Sequence, residues 1–251
     1  MNAVVIIPAR MGATRFPGKP LIDICGKPMI QWVYERASKA AGVSRVMVAT
    51  CDQVIIDAVT GFDGEAVMTS EAHRSGTDRL AEAAAGLDAD VIVNVQGDEP
   101  LIDPKSIERA LEPCALDSNV LMTSLMSPID RDSAKDANLV KVVVGVDNFA
   151  LYFSRSPIPY ERKPAKDGSG HDVPNHLWRG HIGLYAYTKD FLLKFASLEQ
   201  TPLEKAESLE QLRVLEHGYR IKMVEVPDRP LGVDTWADLE TVRYLVNRGE
   251  L

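Results

Sequence analysis

The sequence predicts an α/β fold built on a mostly parallel sheet, and three observations carry that expectation. Short apolar runs of the buried-strand type alternate with segments of helical periodicity from residue 4 onwards. The first run, VVII at residues 4–7, leads straight into Pro8-Ala9-Arg10 and a glycine-containing loop, as a strand ending at a ligand crevice does. Residues suited to helix starts stand ahead of the periodic segments, namely Pro28, Asp103-Pro104, and Thr235 with Asp238.

In chain order, the strand at 4–7 is followed by a loop with Gly12, Arg15, Gly18 and Lys19. Pro28 suits the first turn of a helix that carries Ile30, Val33, Tyr34 and Ala37 at helical spacing, and Gly42 can stop it. A strand at 46–49, a helix at 53–59, a strand at 66–69, a helix at 77–85 and a strand at 91–95 continue the alternation. Asp103-Pro104 then caps a helix over 106–112. From residue 120 the order changes. Segments 120–126, 140–146 and 150–154 are strand-like without long helices between them, which predicts a smaller β-rich subdomain over about 120–190 inside a single domain of 251 residues. Residues 161–175, polar and rich in Gly and Pro, read as a mobile excursion. A strand at 181–187, a helix at 204–217 ended by Gly218, a strand at 221–226 and a capped final helix complete the expectation.

Composition narrows the function. A hydrophobic content of 45% and a charged content of 25% are those of an ordinary globular chain. The formal charge of -8 argues against a nucleic-acid or anionic-membrane surface, which needs a broad basic field. No apolar run reaches bilayer-spanning length, so no membrane insertion is expected. The amino terminus lacks the basic start and long apolar core of a signal peptide. Cys25, Cys51 and Cys114 are widely spaced and form no CxxC pair, so reduced thiols and a cytoplasmic location are expected. No GxGxxG follows any strand, which disfavours a dinucleotide site.

Against that acidic background, the first 22 residues hold Arg10, Arg15 and Lys19 and no Asp or Glu. Cations and glycines in the loop after a buried strand suit an anionic, phosphate-bearing ligand. After the strand at 91–95 comes Gln96-Gly97-Asp98, which presents a carboxylate at the same sheet edge. Magnesium takes hard oxygen ligands, often one or two carboxylates plus substrate phosphates, and Asp98 suits that role; a turn Asp bonding its own backbone is the plainer alternative. Asp234, in Gly232-Val-Asp-Thr235, is a second metal candidate only if it meets Asp98 in space. Ser75, Gly76, Thr77 and Arg79 open a helix and could offer donors to a ligand or simply cap it. Glu207, Glu210, Gln211 and Val214 share one side of the expected helix at 204–217, opposite Leu209, Leu212 and Leu215, a face suited either to water or to sugar hydroxyls. His181, Gly183 and Tyr185 point one way along their strand.

Taken together, the blocks VVIIPARMGATRFPGKPL, SGTDRLAE, VNVQGDEPLI, VKVVV, ALYFSRSPIPY, HIGLYAY, LEQLRVLEHG and GVDTWADL resemble the 3-deoxy-manno-octulosonate cytidylyltransferases, the CMP-Kdo synthetases of Gram-negative bacteria. The resemblance runs nearly end to end with the blocks in family order. It implies a Rossmann-like nucleotidyltransferase fold, a homodimer built partly from the β-rich segment, and transfer of CMP from CTP to the anomeric hydroxyl of Kdo with release of pyrophosphate, dependent on Mg2+. By position it implies that Arg10, Lys19 and Asp98 serve catalysis and that Arg10, Arg15, Lys19, Ser75, Arg79 and Gln96 bind the nucleotide. Asp98 and Asp234 would bind the metal, and Arg155, His181, Tyr185, Glu210 and Gln211 would lie on the sugar side. Glu99 stands where relatives that use the 8-amino analogue tend to carry Gln, which favours Kdo. Two other classes stay open on the residues alone. A nucleotide-sugar glycosyltransferase usually shows a DxD motif where this chain has GDEP, and a non-catalytic nucleotide-binding protein would not need both acidic candidates.

Overall fold

The structure is a computed structural model and describes residues 1–12, 16–73, 75–161 and 178–249. Arg15, and 162–175 of the expected excursion, lie outside the described residues. The chain forms two compact units, one of Met1–Thr123, Gly183–Ser197 and Pro230–Leu251, the other of Ser124–Ile182 and Leu198–Arg229. The second unit is therefore not confined to 120–190: residues 183–197 belong to the first unit, and 198–229 join the second.

The first unit grows from strand β1 (Ala3–Ala9), which is buried along nearly its whole length. A strand buried on both faces must be central, and β1 pairs in parallel with two neighbours. After β1 the chain makes a 3-10 turn at Lys19–Leu21 and a short hairpin of β2 (Asp23–Ile24) and β3 (Lys27–Pro28) that the sequence pattern did not signal. Pro28 then starts α1 (Met29–Ala37), whose Met29, Ile30, Val33 and Ala37 are buried. β4 (Val43–Thr50), α2 (Gln53–Thr60), β5 (Ala66–Met68), α3 (Gly76–Ala85) and β6 (Val91–Asn94) follow as expected. The parallel strands of this unit run in the order β5-β4-β1-β6. The chain winds outward from β1 to β5 and then returns to the other side of β1. The switch point therefore falls between β1 and β6, where open α/β sheets carry their ligand crevice. α4 (Pro104–Leu116) starts at the Asp103 cap, where Oδ1 accepts the Lys105 amide at 3.0 Å. Two strands follow, β7 (Met122–Ile129), which passes into the second unit from Ser124, and β8 (Lys141–Val144) within it.

In the second unit β8 pairs antiparallel with β9 (Ala150–Ser154) and with the first residues of β10 (Trp178–Thr188). The last residues of β10, Tyr185–Thr188, belong to the first unit and pair antiparallel with β6. α5 (Lys189–Ser197) follows β10 with no intervening loop; its buried Phe191, Leu192 and Phe195 went unread because no turn residue announces it. The expected continuous helix over 204–217 is two short ones, α6 (Pro202–Glu207) and α7 (Gln211–Glu216). Ser208 between them is left-handed at φ 53°. Arg155 explains the break, because its guanidinium donates to the carbonyls of Glu207 at 2.7 Å and Ser208 at 3.4 Å, oxygens that a continuing helix would bond itself. β11 (Lys222–Glu225) lies beside β7, and α8 (Trp236–Arg248) returns to the first unit under a Thr235–Asp238 capping box. No described helix is long and apolar enough to cross a membrane.

α6 and α7 are joined by an ion pair of Arg213 with Glu204, with hydrogen bonds at 2.8 and 2.5 Å and side chains only about 5% exposed. Breaking a buried pair strands a charge, which costs about 3–5 kcal/mol, whereas replacing both partners by apolar groups costs far less. Urea denaturation of Arg213→Met is expected to show a loss of that size, and the double variant Glu204→Leu/Arg213→Met is expected to recover most of it.

Candidate active site

The first unit gathers its chemistry at the carboxyl ends of β1, β4 and β6. Arg10 follows β1, Cys51 and Asp52 follow β4, and Gln96, Gly97 and Asp98 come just after β6. Two adjoining cavities open there. One, of about 200 Å3, is lined by Arg10, His73, Ser75, Gly76, Arg79 and Gln96. The other, of about 130 Å3, is lined by Arg10, Lys19, Pro20, Gln96, Gly97 and Asp98. Arg10 and Gln96 are common to both. Among the described residues the Arg10 guanidinium has no ion-pair partner, and it is exposed. A cation left available at a switch-point crevice suits an incoming anion.

Lys19 differs from Arg10. Its side chain is 11% exposed, and its Nζ donates to Asp98 Oδ2 at 2.7 Å and to Asp234 Oδ1 at 3.1 Å. The two carboxylates that sequence reading could join only conditionally thus meet on one ammonium. The backbone aligns all three segments. Gly18, at φ 73°, makes the turn that presents Lys19, a conformation an L side chain resists. Gly97 packs so tightly on β1 that an added Cβ would stand 3.1 Å from the Pro8 carbonyl. The Val233 amide donates to the Asp98 carbonyl at 2.9 Å, and the Asp234 amide donates to Asp238 Oδ2 at 3.0 Å. Beneath them Phe16, Ile24, Met29, Val233, Leu239 and Val242 form one buried apolar cluster. The Trp236 ring closes edge-on over Phe16 at 4.6 Å.

The nucleotide candidates of the first cavity are held just as locally. Ser75 caps α3, accepting the Asp78 amide at 3.1 Å in a full capping box, so its hydroxyl serves the helix. Arg79 is buried, hydrogen-bonded to Thr69 Oγ1, and donates to Cys51 Sγ at 3.4 Å. Gln96 Nε2 donates to the Gly183 carbonyl at 2.9 Å. Sequence reading missed two groups here. Asp52 Oδ2 accepts the Met11 amide at 2.7 Å and so fixes the chain just past Arg10. His73 lines the larger cavity and is bonded to Glu82, whose carboxyl is held below its usual range first by the Ser70 amide and then by His73. The position of Asp52 two residues past the end of a parallel strand is the signal that could have found it.

Of the sugar-side candidates, Tyr185 belongs to the first unit, where it stacks on Tyr187 at 5.8 Å. Arg155, His181, Glu210 and Gln211 belong to the second. Arg155 is the hub of a network there. Its amide donates to Glu207 Oε2 at 2.9 Å, and its carbonyl accepts from Lys141 Nζ, a fully buried ammonium that also bonds the carbonyls of Asp136 at 2.8 Å and Leu139 at 2.6 Å. Burial pushes the Lys141 pKa down. Glu207 also accepts the Ser154 hydroxyl at 2.6 Å, so its carboxylate is committed and is no part of a solvated acidic face. Gln211 is buried, and Glu210 precedes α7 without a side-chain cap hydrogen bond. His181 is 7% exposed, set edge-on to Phe153 at 5.0 Å, with Nε2 at 2.9 Å from Ser124 Oγ.

The parallel sheet and its crevice place the first unit among nucleotidyltransferase-like folds, and the cytidylyltransferase family model matches residues 4–221. A 3-deoxy-manno-octulosonate cytidylyltransferase of Geotalea uraniireducens is 54% identical, covering 96% of this chain and 98% of its own. One from Escherichia coli is 47% identical over 98% of this chain and 96% of its own. A solved structure of CMP:2-keto-3-deoxy-manno-octonic acid synthetase complexed with CTP superposes with a TM-score of 0.91 at 46% identity, each chain fully covered. The chain belongs to the 3-deoxy-manno-octulosonate cytidylyltransferase family.

The burial of His181 has a pH consequence. Desolvation first, and the nearby Arg229 cation second, push its pKa down from 6.5 to about 3. Between those values the unfolded chain binds a proton that the folded chain refuses, so this group's share of stability is whole above about pH 6.5 and is lost as pH falls toward 3. Its contribution to unfolding free energy should therefore decline by about 1.4 kcal/mol per pH unit below 6.5. Comparing denaturant midpoints of the wild type and His181→Gln from pH 7 to 5 is expected to show a steeper decline in the wild type.

Proposed function

We infer that this chain transfers the CMP moiety of CTP to the anomeric hydroxyl of 3-deoxy-manno-octulosonate, releasing pyrophosphate and forming CMP-Kdo. One observation carries the reading on the structural side: Lys19, Asp98 and Asp234 converge beside a crevice that Arg10, Ser75, Arg79 and Gln96 line. Full-length relatedness to cytidylyltransferases named for that sugar supports the substrate pair. The relative solved with CTP supports the nucleotide.

We further propose that Asp98 and Asp234 hold magnesium. Among the described residues no group of three or more His, Cys, Asp or Glu could cage a metal. Magnesium needs no such cage, because it keeps water and takes one or two carboxylates with substrate phosphates, and two carboxylates on a shared cation provide that donor set. When bound, magnesium supplies charge stabilisation at the phosphates and favours ionisation of the attacking hydroxyl. The protein's own residues do the rest by position. Arg10 faces the crevice from the end of β1 and would neutralise charge that spreads over phosphoryl oxygens as pyrophosphate leaves. Asp52 and Gly97 keep that strand end rigid, so little reorganisation accompanies the reaction. Arg79 and Ser75, fixed by Thr69 and by the capping box, would shape the nucleoside end. Arg155 and its Lys141–Glu207 network would present the sugar-side segment of the second unit. A cytoplasmic homodimer is part of the same proposal. The exposed Val146 and Leu151, in the loop after β8 and on β9, support self-association of that unit.

Pyrophosphate release is expected with CTP and Kdo in the presence of magnesium, and not when UTP replaces CTP or N-acetylneuraminate replaces Kdo. Asp98→Asn is expected to lower turnover by about a hundredfold or more with an unchanged circular dichroism spectrum. Near-normal turnover of that variant at saturating magnesium would overturn the role of Asp98.

A further inference from the structure

We propose that Lys19 couples metal binding to nucleotide binding: in the nucleotide-free protein its ammonium occupies the Asp98–Asp234 pair and competes there with a divalent cation, until a triphosphate draws the ammonium away. The proposal rests on the reading of those two carboxylates as metal ligands.

Among the described residues Lys19 is the sole cation paired with either carboxylate, and it pairs with both. Asp98 and Asp234 side chains are 39% and 69% exposed, against 11% for Lys19, so the acids face solvent while the base is enclosed. Two like charges held together need a counter-charge, and Lys19 supplies it. The backbones that carry the two carboxylates are held side by side. Asp98 is tied through its carbonyl to Val233, the neighbour of Asp234, and the Asp234 backbone is tied to Asp238. The movable partner is the lysine, a point charge on a flexible four-carbon stem.

A metal arriving alone must displace a largely enclosed ammonium and leave it without a partner, which is costly. A phosphate removes that cost, because Lys19 lines the smaller cavity with Arg10 and can exchange carboxylate for phosphate oxygens. Coupling of this kind is reciprocal: whatever the nucleotide adds to metal affinity, the metal adds to nucleotide affinity. Lys19 thereby disfavours an idle metal site and favours joint loading.

The test is Mn2+ binding to the nucleotide-free protein, followed by the electron paramagnetic resonance signal of free Mn2+. Lys19→Met is expected to bind Mn2+ about tenfold more tightly than the wild type. Lys19→Arg, which keeps the charge, should stay near the wild type, and adding Asp98→Asn to Lys19→Met should abolish the gain. Thermal unfolding gives a second readout: Mn2+ should raise the melting temperature of Lys19→Met more than that of the wild type. Equal affinities of the wild type and Lys19→Met, both lost on Asp98→Asn, would overturn the coupling and leave the metal site standing. If Mn2+ binding to neither protein depended on Asp98, even with CTP present, the metal reading and the coupling would fall together.

Discussion

The site of the first unit depends on one ammonium shared by two carboxylates, Lys19 with Asp98 and Asp234, across 79 and 215 positions of sequence. The ion pairs do not hold the fold together, because partly exposed pairs are worth little in water. The apolar cluster below does that. Burying side chains such as Phe16, Val233 and Leu239 contributes about 1.5–3 kcal/mol each, several times what an exposed ion pair offers. The cluster brings three chain segments to one place, the Val233–Asp98 backbone bond sets their alignment, and the charges then fix side-chain direction. Remove the cluster and the carboxylates separate. Remove only the lysine and they remain close, now repelling each other.

How much of this was legible in the sequence follows from how local each cause is. β1 and β6 could be read because a strand buried on both faces is an unbroken apolar run, and the starts of α4 and α8 because a cap lies within a few residues of what it caps. Arg10 and Asp98 could be read as strand-end residues for the same reason. Asp234 could be nominated but not placed, since its contact with Asp98 and Lys19 is purely tertiary. The break at Ser208 was invisible, because its cause is the guanidinium of Arg155, far upstream, and the 204–217 periodicity is unaffected by it. α5 escaped because it follows a strand without a turn. Asp52 escaped because its task, accepting one amide of the basic loop, is tertiary; only its place just past the end of a parallel strand hinted at it.

The second unit shows how far local bonding engages residues of catalytic type. His181, Glu207 and Lys141 are each capable of catalysis in principle, yet each is consumed by local bonding. Lys141 is spent on three carbonyls, Glu207 on a hydroxyl and an amide, and His181 is kept neutral by burial. A buried polar group must be satisfied, and here satisfaction produces rigidity around Arg155.

The division of labour between Arg10 and Lys19 resolves an electrostatic difficulty. A chain of net charge -8 should repel a triphosphate, and it keeps two further carboxylates at the proposed binding site. Screening makes the distant acids nearly irrelevant, since charges beyond about 8–10 Å are largely damped at physiological ionic strength. Near the crevice the charges that count are local ones, among them Arg10, Lys19, Arg79, Asp52 and the two acids. With Lys19 committed to the acids and Arg10 without an ion-pair partner among the described residues, the crevice presents a cation first and its acids already partly neutralised. An anion can therefore approach before any metal is in place. That sequence of charges, more than the overall composition, allows an acidic protein to accept a polyanionic substrate.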